Sequence, residues 1–218
     1  MHQRRRYWIQ GGIDCLYEAE NVELELFRRA RDYEVFLCLL SICKVYFGIK
    51  VIAYCVIPNC YHLLIEMENK TFHKAVKWLN NAYLCHFNKN KEGDFMFETL
   101  IYEMPQYDDN FMLCASRYIH TRPVLGGLVR SIEEYKYSSL NSCIGCIKDG
   151  ITDTSIILGL FFGNSKYYLD FVNEECGNVE IERMVFKTDC KLRGRINNRG
   201  KDPKECDSKI SLKNEFRE

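Results

Sequence analysis

The sequence predicts an α+β fold of ferredoxin-like, βαββαβ design: an antiparallel sheet with helices on one face, followed by a C-terminal helical extension. Three observations in the 218 residues carry this. Two apolar, β-branched runs, 51–57 and 63–65, flank the turn residues Pro58-Asn59. Helical periodicity stands on either side, over 27–46 and 72–88. A further strand pattern, 95–104, closes the series before Pro105.

Taken in order, residues 5–13 carry aromatic and β-branched side chains and stop at Gly11-Gly12, which predicts a strand with a bend. Residues 14–26 have no clear periodicity. Phe27, Tyr33, Phe36, Leu37, Leu40 and Tyr46 recur near helical spacing, and Gly48 ends that helix. After the two strands, Thr71 is placed to cap a helix with Val76, Leu79, Tyr83, Leu84 and Phe87 inward. Residues 89–94 form a polar loop. Asp108 or Asp109 starts another helix running to about His120, limited by Pro123. Residues 132–137 and 152–175 suggest further helical pieces. From about Val179 the composition turns polar and charged, as expected of a partly ordered tail. The expected domains are 1–142 for the main fold, 143–186 for a helical extension and 187–218 for a basic tail.

Formal net charge is +0, so the chain as a whole favours neither polyanionic nor cationic partners. Its distribution is more telling. Residues 187–204 hold Lys187, Lys191, Arg193, Arg195, Arg199, Lys201 and Lys204 against Asp189 and Asp202, and Arg4, Arg5 and Arg6 lie beside Tyr7 and Trp8. Basic side chains next to stacking surfaces suit single-stranded nucleic acid, although a solvated face is the commoner use of such charges. The sequence holds 12 cysteines, and the opening Met-His-Gln-Arg-Arg-Arg has no apolar signal core. The expectation is intracellular, cytoplasmic free thiols. The apolar stretches are too short to cross a bilayer, so no membrane partner is expected. Cys143-Ile-Gly-Cys146 has zinc or redox spacing, but no second such pair exists to complete a ribbon.

Chemistry concentrates in two places. In a strand, Cys60 and His62 share a face and offer half of a metal site. In the last core helix, Tyr118 and Arg122 are four residues apart and share a face. A tyrosine hydroxyl can attack a phosphodiester and retain the DNA end as a phosphotyrosine. It can equally well pack against a sheet.

These stretches, in this order, resemble the single-tyrosine HUH transposases, specifically the REP-associated tyrosine transposases. The resemblance lies in residues 5–12 (RRYWIQGG), 27–37 (FRRARDYEVFL), 54–66 (YCVIPNCYHLLIE), 83–88 (YLCHFN), 117–129 (RYIHTRPVLGGLV) and 135–140 (YKYSSL). It implies single-stranded or hairpin DNA as substrate, and cleavage and rejoining through a 5′-phosphotyrosine. It further implies a divalent metal, Mg²⁺ or Mn²⁺, and a homodimer. It assigns Tyr118 as nucleophile and Cys60 and His62 as metal ligands. The basic candidates for DNA contact are then Arg4, Arg5, Arg6, Arg117 and Arg122.

Three departures accompany the resemblance. Cys60 stands where the family has the first histidine of its pair. Arg122 stands where a neutral amide is expected. Phe97 is followed by Glu98-Thr99 where the family has Gly-Arg. The alternative is therefore a decayed or repurposed DNA-binding protein on the same fold, and whether the chain is an enzyme is open at this point.

Overall fold

The structure is a computed structural model that describes residues 13–20, 25–67, 72–88, 98–105 and 109–174. Helices and strands are mixed in an α+β order. The strands are β1 (Ile13–Glu20), β2 (Lys50–Ile57), β3 (Cys60–Met67) and β4 (Glu98–Pro105). The helices are α1 (Ala30–Phe47), α2 (Phe72–Asn88), α3 (Asp109–Leu125), α4 (Leu140–Cys143), α5 (Thr154–Gly159) and α6 (Ser165–Asn173), with a 3₁₀ turn at Ile132–Glu134. The four strands form one sheet in the order β2-β3-β1-β4, and every neighbouring pair is antiparallel. No helix among the described residues is long and apolar enough to cross a membrane.

The first strand differs from expectation. It runs over Ile13–Glu20, the stretch whose periodicity was unclear, and residues 5–12 lie outside the described residues. Asp14, Glu18 and Glu20 break any apolar alternation there. Pairing on both sides, to β3 and β4, makes it a central strand despite that composition. Thr71, residues 89–94, residues 175–186 and the basic stretch 187–218 also lie outside the described residues.

Helices cover both faces of the sheet rather than one. Val56, Tyr61, Leu63 and Ile65 pack with Tyr33, Phe36 and Leu40 of α1 and Val76, Leu79 and Tyr83 of α2. Ile52, Ala53, Cys55 and Leu64 pack instead with Phe111, Met112, Ala115 and Ile119 of α3. The cause is visible in β2, where residues 51–56 are all buried. A strand that is apolar at successive positions must be covered twice. The α1 face is an aromatic cluster in which Phe27, in the loop before the helix, stacks on Tyr83 at 4.8 Å. Tyr46, one of the residues recurring near helical spacing, is exposed, and Cys43 is buried instead. Gly48 ends α1 at φ +63°, a left-handed turn that suits glycine.

The C-terminal segment shares the α3 core. Ile157, Tyr168 and Val172 belong to the same buried cluster as α3 and β2, so no packing break marks residue 143. This segment also covers the outer edge of β2. Val56 N–H donates to Tyr137 O (3.0 Å), Ser139 N–H to Tyr54 O (3.0 Å), and Asp153 N–H to Val51 O (2.7 Å). An open edge would otherwise offer these groups to another chain.

Helix α3 runs two residues past Pro123, which is buried inside it, and ends where Gly127 adopts φ +67°. Two contacts bolt it to α6. His120 is fully buried, with Nε2 2.8 Å from Ser139 Oγ and Nδ1 2.8 Å from Tyr168 Oη. Arg117, expected to touch DNA, is instead buried: its guanidinium lies 3.6 Å over the Phe171 ring and 3.4 Å from the Glu174 carboxylate. A cation desolvated against an aromatic face and a carboxylate is a packing element.

Burial pushes the His120 imidazole down from an ordinary value of 6.5 to about 3. The unfolded chain therefore binds the extra proton between those values, and stability falls as pH drops through that window. The loss approaches 1.4 kcal/mol per pH unit at most, about the value of one full proton. His120→Asn is expected to flatten the pH dependence of urea unfolding between pH 6.5 and 4 relative to the parent. Arg117→Ala is expected to lower stability by about 1–3 kcal/mol. Glu174→Gln should cost less, because that carboxylate is largely exposed.

Candidate functional site

The site forms where β3 begins. Pro58 and Asn59 make the turn that reverses β2 into β3, and Pro58 O accepts from Phe27 N–H at 2.8 Å, fixing the turn to the α1 face. The reversal sets Cys60 opposite Ile57 and His62 opposite Cys55. Alternation then puts Cys60 and His62 on the α3 face. The Cys60 Sγ and His62 Nε2 atoms are 3.4 Å apart, and the two residues are only 6 % and 2 % exposed.

Helix α3 brings the third member. Ala115 and Ile119 are fully buried against the sheet, and the small side chain at 115 lets the helix lie close. That packing directs half-buried Tyr118 toward β3, where its ring meets His62 edge to face, with centroids 5.7 Å apart and planes at 87°. One turn later, the Arg122 guanidinium stands 4.5 Å over the Tyr118 ring. His62, Tyr118 and Arg122 thus form a continuous stack, with Cys60 beside its imidazole end.

Four of the residues singled out in the sequence therefore converge: Cys60, His62, Tyr118 and Arg122. Arg117, on the same helix, does not, since its side chain is committed to α6. Arg4, Arg5 and Arg6 lie outside the described residues. Cys143 is buried and Cys146 exposed, so that pair divides between core and surface. Burial pushes the Cys143 thiol up to about 12. Cys55 is a neighbour that sequence reading passed over as one more apolar strand position. It is fully buried in the row with His62, and burial holds its thiol well above the usual range. Only the pairing register distinguishes it from its neighbours.

A Mg²⁺ or Mn²⁺ ion, as the resemblance implies, is poorly matched by these donors. Such ions prefer oxygen, with imidazole a secondary choice, whereas the pair here is a thiol and an imidazole with a guanidinium nearby. Among the described residues, no three His, Cys, Asp or Glu side chains are grouped to hold a metal ion. What the arrangement offers directly is a phenol on a firm helix, an imidazole at its edge, and a cation able to take a phosphate bidentately.

No protein-family model matches the chain, and no curated protein matches it. Among solved structures, it is similar to one described as the structure of the REP-associated tyrosine transposase bound to a REP hairpin. The TM-score is 0.52 and the identity 16 %; the likeness covers 69 % of this chain and 90 % of that one. What the two share at this identity is the fold.

Proposed function

We propose that this chain is a transposase-like protein that binds single-stranded or hairpin DNA, and that Tyr118 cleaves and rejoins the strand. The reading takes the β2-β3-β1-β4 sheet, with its βαββαβ order, as ferredoxin-like. The observation that carries it is the edge-to-face contact of Tyr118 with His62. A phenol kept for packing alone needs no polar cluster; this one sits between an imidazole and a guanidinium. The likeness to a hairpin-bound transposase supports the same substrate class.

In this reading, the Tyr118 oxygen attacks the scissile phosphorus. A P–O bond to the phenol forms, and the bond to the departing 3′ oxygen breaks, that oxygen leaving with the electron pair. The phenolic proton is given up and the 3′ oxygen ends protonated, so atoms and charge balance. Rejoining is the same exchange reversed, with a 3′-hydroxyl attacking the phosphotyrosine. Arg122 holds the phosphate at the ring, and the α6 bolts keep α3 in register with β3 while the strand is exchanged. The same reading expects a homodimer.

A second reading keeps the binding and drops the chemistry. It is favoured by Cys60 and Arg122, the two positions where the site departs from the pattern that the chain resembles. Incubation with a single-stranded hairpin oligonucleotide separates the two, with Mg²⁺, Mn²⁺ and Zn²⁺ in parallel arms. The expected product is a covalent protein–DNA adduct with a free 3′-hydroxyl, absent in Tyr118→Phe, which should still bind the hairpin. Binding without adduct in every arm would leave the binding reading alone. No hairpin binding at low salt would remove both, because phosphate contacts are strongest there.

A further inference from the structure

The connection between α5 and α6 carries a strained aromatic residue. Phe162 has φ +53°, and it is the one non-glycine residue with a positive φ among the described residues. For a bulky side chain this conformation is an outlier, because Cβ crowds the following carbonyl oxygen. Gly163 beside it has φ +78°, so the turn is made by two left-handed residues in succession, and only one of them is a glycine. The Phe162 side chain is also 98 % exposed. The position therefore combines a strained backbone with a whole phenyl ring in water, and packing offsets neither. Backbone strain of this kind collects where a side chain has work outside the fold.

The backbone that presents this ring is firm. Gly163 N–H donates to Leu158 O and Asn164 N–H to Phe161 O, both at 2.8 Å. The Asn164 side chain then caps α6, accepting from the N–H groups of Lys166 and Tyr167. Phe161 turns inward, with its ring 5.3 Å from Tyr168 and 5.4 Å from Phe171. Tyr168 in turn meets His120, so the turn is anchored to the helix that carries Tyr118. The exposed neighbours of Phe162 are small or polar, namely Gly159, Gly163, Asn164 and Lys166, with Tyr167 also open to solvent. An anchor for a protein partner sits among contacts that exclude water. A lone ring near a lysine suits a nucleotide, whose base stacks and whose phosphate is anionic.

We propose that Phe162 is a stacking surface for an unpaired base of bound single-stranded or hairpin DNA, with Lys166 near it for the backbone phosphate. Single strands offer bases that are free to stack on an aromatic ring, and such stacking tolerates any base because every base has a π-face. The proposal rests on the DNA-binding reading above and not on whether the strand is cleaved. It makes the α5–α6 connection part of the DNA interface.

The test uses the full chain and a hairpin oligonucleotide with an unpaired tail. Iodouracil is placed at successive unpaired positions, since on irradiation it cross-links to an aromatic ring stacked on it. The expected result is a cross-link that peptide mass mapping assigns to Phe162. Phe162→Ala should weaken hairpin binding by about 5- to 150-fold, the range spanned by loss of one stacked base. Phe162→Trp should retain it. Urea unfolding separates this from a structural role. Phe162→Ala should unfold with the parent, because the ring is exposed. Phe162→Gly should be more stable than Phe162→Ala, because glycine accepts a left-handed φ, yet bind the hairpin as weakly. Unchanged hairpin affinity in Phe162→Ala would overturn the proposal. So would a marked loss of stability in that variant, which would make the ring a packing element. A parent dimer that Phe162→Ala converts to monomer with hairpin binding intact would also overturn it, and would assign the ring to an interface between copies. In each of these cases the parent still binds the hairpin, and the function above stands. A parent that binds no hairpin would remove the binding reading and this proposal together.

Discussion

Everything at the candidate site depends on how α3 lies on β2 and β3. The contact is made by small and apolar side chains, Ala115 and Ile119 against Ile52, Ala53 and Leu64. Apolar contacts of this kind define an angle only loosely. A helix lying on a flat apolar surface can slide or roll at little cost, and Tyr118 would move off His62 with it. What prevents this is the far side of the helix. His120 reaches both Ser139 and Tyr168, and Arg117 is pressed between Phe171 and Glu174. Directional hydrogen bonds in a buried setting are costly to leave unmade, and so they define a register that apolar packing leaves loose.

This gives the C-terminal segment a physical task. Residues 151–174 close the α3 layer, satisfy the free edge of β2 through Asp153, and hold the helix that carries the tyrosine. The Tyr54 hydroxyl, buried on the opposite face, reaches Asp149 of the same segment at 3.0 Å. The sheet is thereby tied to the extension from both of its faces. A chain truncated near residue 142 would lose Cys143, Ile157, Tyr168 and Val172 from one core layer, and Asp153 from the cover of the β2 edge, so the extension is part of the fold's own stability.

Much of this was legible in the sequence, for identifiable reasons. The β2–β3 hairpin and α2 announce themselves because Pro58-Asn59 and the 3.6-residue apolar stripe are local signals. The convergence of Cys60, His62, Tyr118 and Arg122 was legible because two short spacings, Cys-x-His on a strand and Tyr-x-x-x-Arg on a helix, each fix a face. What local pattern could not carry was pairing. β1 has charged residues at positions that only its two neighbours make into a strand, and Cys55 comes beside His62 by cross-strand register alone. Arg117 misled for the complementary reason. An arginine beside a candidate nucleophile looks like a phosphate contact until the partner surface at α6, with Glu174 57 residues further along the chain, is in place. The second covered face of the sheet was readable in principle, since residues 51–56 lack any polar alternation.

The two departures at the site bear on the same charge. A hard cation beside a guanidinium would place two positive charges together, and Cys60 offers such an ion only a soft donor. The Arg122 guanidinium, 4.5 Å over the Tyr118 ring, already puts a fixed positive charge at that face of the helix. A guanidinium can meet a phosphate bidentately without an ion beside it. Cys60 and Arg122 are therefore consistent with one another: the position that offers the poorest donor for a hard cation lies near the position that already supplies a cation.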